Sequence, residues 1–367
     1  MLMACYHPLK AFQIGVNDLT GKKVMKVTDY GVNCVSVNRS TGSVSCSPDI
    51  PPPSSTWRHV TQFVEVPCGQ CIGCRLDRSR TWANRCLLEL EYHKTAQFVT
   101  LTYNDEHLPL ANYGSSDTGE VCGVSATLCK RDFQLFMKRL RKMFPDQKLR
   151  FFSCGEYGPS TFRPHYHAII FGLDLPDRLP FGRNNQGHQY FISESLQRAW
   201  SIAPSSVRKG CVTPLTSPPG PIGFALCADV TWETCAYTAR YITKKLTGPE
   251  GEFYSDFNLE PPFSLMSRKP GIAAQWYEDH PDLYDYEYIS VKTPQGGRKF
   301  RPPRYFDKLY DIDHPEEMAA LKATRQRMAE EAKRLKLEKT SLSYLELLQV
   351  EEAQKIDSIK KLERKLC

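Results

Sequence analysis

Arg163-Pro164-His165-Tyr166-His167-Ala168-Ile169-Ile170-Phe171-Gly172 is the stretch on which the reading of this chain turns. Pro164 breaks any preceding helix. The run after it is β-branched and aromatic, of strand length, and closed by Gly172. Side chains alternate on a strand, so His165, His167, Ile169 and Phe171 share one face, and Tyr166, Ala168 and Ile170 the other. Two imidazoles two residues apart on a rigid strand can converge on one metal ion. Taken alone, such a pair is more often two core or surface histidines, so the rest of the chain must decide.

Upstream, Ser153-Cys154-Gly155-Glu156-Tyr157-Gly158 follows an expected strand over residues 149–154. Its glycines suggest a tight turn that would carry the Glu156 carboxylate back toward the histidines. Two imidazoles and a carboxylate, with open positions, suit a divalent ion that must also hold a phosphate oxygen. By itself Glu156 fits a solvated turn equally well. Downstream, residues 232–247 read as a helix stopped by Gly248. Tyr237 and Tyr241 are four apart and share a face, each followed three residues later by a cation, Arg240 and Lys244. A phenolate can serve as a covalent nucleophile, although paired tyrosines are also common in cores.

In combination and in order, these elements resemble the rolling-circle initiators of the HUH endonuclease superfamily in their two-tyrosine form. The pieces are Phe98-Val-Thr-Leu-Thr-Tyr103-Asn104-Asp105, His165-Tyr166-His167 and Tyr237-x-x-x-Tyr241-x-x-Lys244. Cys5-Tyr-His7-Pro8, Pro67-Cys68-Gly-Gln-Cys71-Ile-Gly-Cys74-Arg75 and Arg301-Pro-Pro-Arg304-Tyr305-Phe306-Asp307-Lys308 extend the likeness to initiators of microvirus phages, the gokushovirus branch above all. The resemblance covers roughly residues 4–308. It implies an α+β fold: an HUH-like antiparallel sheet carrying the histidines centrally, with packed helices. It also implies metal-dependent, site-specific nicking and rejoining of single-stranded origin DNA through a 5′-phosphotyrosine. Tyr237 and Tyr241 would be the nucleophiles, with Lys244 beside them. His165, His167 and Glu156 would hold Mg²⁺ or Mn²⁺. Partners would be host helicase and polymerase, in the cytoplasm of an infected bacterium. A plasmid-type replication or mobilisation nickase is the nearest alternative. A zinc hydrolase leaves the tyrosine pair unexplained, and a non-catalytic single-strand DNA-binding protein leaves the triad unexplained.

The 367 residues allow about two domains, and 41% hydrophobic with 11% aromatic residues describes a globular chain. A net charge of +7 is too mild to establish a polyanionic partner. Its distribution is more informative. Lysine or arginine stands at 130, 131, 138, 139, 141, 142, 148 and 150, against Asp132 and Asp146. Residues 132–144 read as an amphipathic helix with Asp132 as N-cap. Its Lys138, Arg139, Arg141 and Lys142 are candidates for a DNA backbone, as are Arg75 and Arg78 (with Arg80 and Arg85) on the expected helix over 77–93, and Arg240 and Lys245. No apolar run reaches the ~18 residues of a membrane span, and the N-terminus lacks the charged and apolar regions of a secretory signal. Fourteen cysteines in such a chain argue for reduced thiols and metal ligation.

Cys68-x-x-Cys71-x-x-Cys74 places three thiols around one turn, a spacing that suits a structural Zn²⁺ with one more ligand. Cys5 is the first choice for that ligand and His7 the second; an iron–sulfur cluster shares the spacing. Four segments are expected: 1–80, β-rich with the cysteine cluster; 81–250, the catalytic core; 251–314, a Pro- and aromatic-rich wrap; and 315–367, a charged helical tail. The tail's helices break near 340–343, where Ser343 and Glu346 form a capping-box pattern. No phosphate-binding Gly-x-x-x-x-Gly-Lys-Ser/Thr loop is present, so unwinding is expected from elsewhere. Oligomeric state is not encoded in any of these motifs.

Overall fold

The run of apolar residues around the two histidines forms an interior strand, Pro164–Phe171, of a seven-stranded sheet. In this computed structural model residues 5–114, 120–183, 187, 189–202, 220–240, 251–293 and 296–364 are described. Across the sheet the strands run Leu179–Arg183, Gln189–Ile192, Ala225–Asp229, Ala96–Leu101, Pro164–Phe171, Arg150–Tyr157 and Phe263–Met266. Each neighbouring pair is antiparallel. The histidine strand lies between Ala96–Leu101 and Arg150–Tyr157, so both its edges are hydrogen-bonded and its pleat is fixed. Gly172 ends it in the left-handed region, φ +76°, where a Cβ would stand 2.8 Å from the Lys148 carbonyl oxygen.

Alternation sends the two faces of this sheet to different layers. Val99, Leu101, Tyr166, Ala168 and Ile170 pack against Phe133, Phe136, Met137 and Leu140 of helix Lys130–Met143 and against Leu196, Ala199 and Trp200. Several of these rings are fully buried, and each contributes roughly 1.5–3 kcal/mol by leaving water. Phe152, Ile169 and Phe171 on the opposite face pack against Ala83 and Cys86 of helix Ile72–Leu90 and Cys235 and Ala239 of helix Trp232–Arg240. Trp82 stacks on Phe152 at 4.8 Å between centroids.

Several expectations need correction. Asp132 is not an N-cap: Cys129 holds that position, and Asp132 is buried where it accepts the Tyr103 hydroxyl proton at 2.6 Å. Residues 104–129 are not simply irregular, since Leu110–Gly114 and Val121–Ala126 pair as a hairpin. The 251–314 segment is more than a wrap. It supplies the edge strand Phe263–Met266 and a hairpin of Ile289–Thr293 with Gly296–Phe300. Cys129 is disulfide-bonded, whereas the other described cysteines are free thiols as expected.

By its contacts the chain forms two compact units, Arg78–Ala320 and Met1–Asp77 with Leu321–Cys367. The second contains two three-stranded sheets, one of Lys23–Thr28, Leu9–Val16 and Phe63–Val66, the other of Val44–Ser47, Cys34–Asn38 and Trp57–Val60. The charged tail, whose second helix is Tyr344–Arg364, belongs to this unit. The Ser343 N–H donates to Glu346 at 2.8 Å, half of the expected capping box. Among the described residues, no helix is long and apolar enough to cross a membrane.

Arg85, a candidate for phosphate contact, is instead committed to the fold. It is buried, donates to the Ile272 carbonyl at 2.8 Å and lies between the Trp82 and Tyr305 rings. One turn on, Glu89 is 5% exposed and accepts from Arg150, from His93 Nε2 at 3.0 Å and from the Ala273 N–H at 2.6 Å. Burial pushes its carboxyl up, but these donors outweigh it and hold the carboxyl below its ordinary range. Glu89→Gln leaves the Arg150 charge buried without its counter-ion. The expected loss is about 3 kcal/mol of unfolding free energy, read by urea denaturation of the whole chain; a loss under about 1 kcal/mol would mean the pair contributes little.

Candidate active site

The polar end of one sheet face gathers the expected triad. Antiparallel pairing sets Glu156 opposite His165 and Cys154 opposite His167, while Thr100 faces His167 from the other side. Along this face the pairs change from Phe152–Ile169 to Cys154–His167 to Glu156–His165, from core to ligands within three rungs. Glu156 is therefore not on a turn. It lies inside strand Arg150–Tyr157 and meets the histidines by cross-strand register. The flanking glycine has another cause: a Cβ on Gly155 would stand 2.9 Å from the Phe263 ring and 3.0 Å from Leu128.

His165 Nε2 lies 2.7 Å and His167 Nε2 3.4 Å from the same oxygen, Glu156 Oε1. The second ring nitrogens are held as well. His165 Nδ1 donates to the Arg163 carbonyl at 3.2 Å, and since a carbonyl only accepts, the proton is on Nδ1 and Nε2 faces the carboxylate. His167 Nδ1 is 3.0 Å from Thr100 Oγ1. Glu156 and His167 are almost wholly buried, at 1% and 5% exposure. Burial pushes the Glu156 carboxyl up, but the two imidazoles outweigh it and hold it at about 2. One donor atom from each residue lies within 4.8 Å of the others. An octahedral ion with bonds near 2.1 Å needs cis donors about 3.0 Å apart, and the two Glu–His separations bracket that value. These three side chains thus fit a hard divalent ion, with second-layer bonds orienting both rings.

Tyr237 stands at this same end. Its ring meets His167 edge-on at 5.2 Å and Phe98 at 6.0 Å, and the residue is 42% exposed. Cys235 and Ala239, both fully buried, anchor helix Trp232–Arg240 against the sheet and so aim Tyr237 at the triad. Tyr241, Lys244 and Lys245 lie outside the described residues, and of Arg240 the backbone alone is described. Phe98, stacked on His167 at 5.6 Å and 12°, and Thr100 were not singled out for roles in the sequence. Their period-2 spacing in a strand is a signal, but only the pairing shows what they face.

The basic helix is elsewhere. Lys130–Met143 covers the sheet face opposite the triad. Arg139 donates to the Ala199 carbonyl at 2.7 Å, and Arg141 to the Leu149 carbonyl at 3.3 Å. Lys138 and Lys142 are exposed there. On helix Ile72–Leu90, Arg75 is partly buried and Arg78 exposed.

Cys5, Cys68, Cys71 and Cys74 bring their sulfurs within 4.8 Å of one another. Cys68–Cys74 and Cys71–Cys5 are each 4.0 Å apart, and a tetrahedral ion with 2.3 Å metal–sulfur bonds sets that edge at about 3.8 Å. Backbone N–H groups point at the sulfurs: Cys68 to Cys5 and Cys71 to Cys68 at 3.3 Å, Tyr6 to Cys71 at 3.3 Å. The Cys71 thiol is held far below its ordinary value, first by its hydrogen bond with Cys5. Cys5 is pushed up to about 12, first by Cys71. One thiolate among thiols is what a metal-free thiol cluster can sustain; a dication suits all four as thiolates. His7 is not part of the group and pairs with Glu352 at 2.5 Å.

An antiparallel sheet with an interior His-x-His, a cross-strand glutamate and a neighbouring exposed tyrosine defines a class of phosphoryl-transfer candidates, and the comparisons specify the family. The family of replication-associated proteins of the ORF2 type matches residues 96–246, beginning at the first strand of the site. The replication-associated protein ORF2 of Spiroplasma virus 4 is 30% identical over 308 residues, 82% of this chain and 85% of the relative. The replication-associated protein VP4 of Bdellovibrio phage phiMH2K is 30% identical over 258 residues, 68% of this chain and 69% of the relative. ORF4 of Chlamydia phage 1, also a replication-associated protein, is 30% identical over 263 residues, 69% and 55% of the two chains. No solved structure matches. The chain belongs to the family of phage replication-associated proteins.

Gly155 is the tightest constraint on the triad's register. Gly155→Ala should cost about 1–3 kcal/mol by driving Cβ into Phe263 and Leu128, seen as a lower urea midpoint, with Phe263→Ala in the same chain recovering part of it. An unchanged midpoint for Gly155→Ala would mean that the close approach is not a constraint.

Proposed function

We propose that this protein initiates rolling-circle replication of a microvirus-like single-stranded DNA phage by nicking and rejoining origin DNA through a phosphotyrosine. The observation that carries this reading is the Tyr237 ring, 42% exposed and 5.2 Å from the His167 ring, beside three side chains suited to a metal ion. The family supports the replication role, and the geometry supports the chemistry.

Glu156, His165 and His167 would hold Mg²⁺ or Mn²⁺. Once bound, that ion supplies Lewis acidity to a phosphate oxygen. The Tyr237 or Tyr241 phenolate oxygen attacks the scissile phosphorus, and the bond from phosphorus to the 3′ oxygen breaks. The 3′ oxygen leaves with the electron pair and takes a proton from solvent. A 5′-phosphotyrosine and a free 3′-hydroxyl result. One phosphodiester replaces another, so rejoining needs no external energy. A second tyrosine one helical turn away allows a second cut while the first remains occupied. The 3′ end is a primer for a host polymerase, and a host helicase would unwind the duplex, in the cytoplasm of the infected bacterium. Arg78, Arg240 and Lys245 are the candidate phosphate contacts; Lys138 and Lys142 would serve DNA only beyond the catalytic face. Lys244 would favour the phenolate. The four cysteines would hold a structural Zn²⁺.

In a short-oligonucleotide assay, His165→Ala or His167→Ala should lower cleavage by at least ~100-fold, the order seen when one group stabilising a transition-state charge is removed, with circular dichroism unchanged. Tyr237→Phe and Tyr241→Phe should each retain some cleavage but fail at circle release, and the double variant should trap no covalent adduct. Full-rate nicking after chelation, or an adduct from the double variant, contradicts the mechanism.

The cysteine cluster carries a separate expectation. Reduced, purified protein should contain one zinc per chain by elemental analysis, and Cys71→Ser should lose it together with stability, because metal binding is folding free energy. Absence of tightly held zinc in the unaltered protein would refute the assignment.

A further inference from the structure

Beyond the triad, the turn from strand Arg150–Tyr157 to strand Pro164–Phe171 carries a feature that the chemistry above does not use. Phe162 lies in this turn with φ 53°, a left-handed conformation that a bulky side chain rarely adopts. Its ring stacks on Tyr157 at 4.6 Å between centroids and 8° between planes, and Tyr157 stacks in turn on Tyr254 at 6.5 Å and 23°. Tyr157 and Tyr254 are buried, whereas Phe162 is 43% exposed. Three near-parallel rings thus form a column that ends on an aromatic open to solvent.

The column is rigidly built. The Tyr157 hydroxyl donates to the Glu260 carbonyl at 2.8 Å and accepts the Leu128 N–H at 3.2 Å, which fixes the middle ring. The Gly158 N–H bonds the Arg163 carbonyl at 2.9 Å and the Phe162 N–H the Gly158 carbonyl at 3.1 Å, which fixes the turn. Arg163 donates to Asp105 at 2.6 Å and to the Tyr103 carbonyl at 3.0 Å. Strain in an ordered turn, spent on exposing a hydrophobic ring, needs a gain elsewhere. Phe162 is three residues from His165, at most about 11 Å of extended chain, and the last ladder pair before the turn, Tyr157 with Pro164, adjoins the Glu156–His165 pair.

We propose that Phe162 is a stacking platform for one base of single-stranded DNA, next to the scissile phosphate. This rests on the nicking role proposed above. Tyr157 and Phe162 extend the face opposite Glu156, so a strand whose phosphate meets the triad and whose neighbouring base meets Phe162 passes around the tip of this hairpin. Stacking tolerates any base, so the contact positions the strand without reading its sequence. Phe162 is a positioning residue, not a catalytic one.

The test uses the full chain and origin-derived oligonucleotides, with binding read by fluorescence anisotropy in the absence of divalent ions, and cleavage read separately. A series of oligonucleotides, each with one abasic position, should show for the unaltered protein a loss of about 10-fold at one position beside the cut. Phe162→Ala should bind the intact oligonucleotide about 10-fold more weakly and lose the penalty at that position. Phe162→Trp should restore both. Phe162→Gly, which removes the φ strain, should match Phe162→Ala in binding while keeping a thermal midpoint no lower than that variant. If the unaltered protein cleaves but Phe162→Ala keeps the same affinity and the same abasic profile, the platform is wrong while the nicking role stands. If Phe162→Trp fails to restore the profile, a stacking role is likewise overturned. Should the unaltered protein bind with the predicted profile yet never cleave, the nicking role fails and the platform stands.

Discussion

Convergence of two imidazoles on one buried carboxylate is the interaction around which the site is arranged. Glu156 at 1% exposure would be costly to ionise alone, since an unpaired buried charge costs several kcal/mol. His165 and His167 remove that cost, and the register that brings them there is set by three hydrogen-bonded strands. Any slip by one residue would turn all three side chains to the opposite face. The apolar rungs Phe152–Ile169 and the helices packed on them therefore do more than stabilise the domain; they lock the ligand geometry.

The same face explains how a helix from a distant part of the chain joins the site. Cys235 and Ala239 are small and fully buried, which lets helix Trp232–Arg240 approach the sheet closely. Tyr237, between them in sequence, is left at the margin against His167. The nucleophile candidate is thus positioned by the residues flanking it, while its own ring stays accessible. The Cys5–Cys68–Cys71–Cys74 group belongs to the other compact unit and takes no part in this chemistry.

Much of this was legible in the chain. Alternation alone put His165 and His167 on one face, helical spacing put Phe133, Phe136, Met137 and Leu140 on another, and the Cys-x-x-Cys-x-x-Cys spacing marked three of four sulfurs. What failed depended on partners far along the chain. Gly155 looked like a turn residue because the reason for it, the Phe263 ring, comes from a strand more than a hundred residues later. Thr100 meets His167 across 67 residues. The charge on helix Lys130–Met143 was visible, but which sheet face it would cover was not, and the helix lies opposite the triad. Arg85 reads as a surface cation until Trp82, Tyr305 and the Ile272 carbonyl enclose it.

The central claim is that a tyrosine on helix Trp232–Arg240 or its continuation forms a covalent bond with DNA beside the Glu156–His165–His167 group. It is tested most directly by trapping the protein on a labelled single-stranded origin oligonucleotide with Mn²⁺, digesting the adduct and sequencing the DNA-bearing peptide by mass spectrometry. The account predicts a 5′-phosphotyrosine on the peptide that carries Tyr237 and Tyr241. A DNA–peptide bond at any residue outside that peptide, or a 3′ linkage, would contradict it.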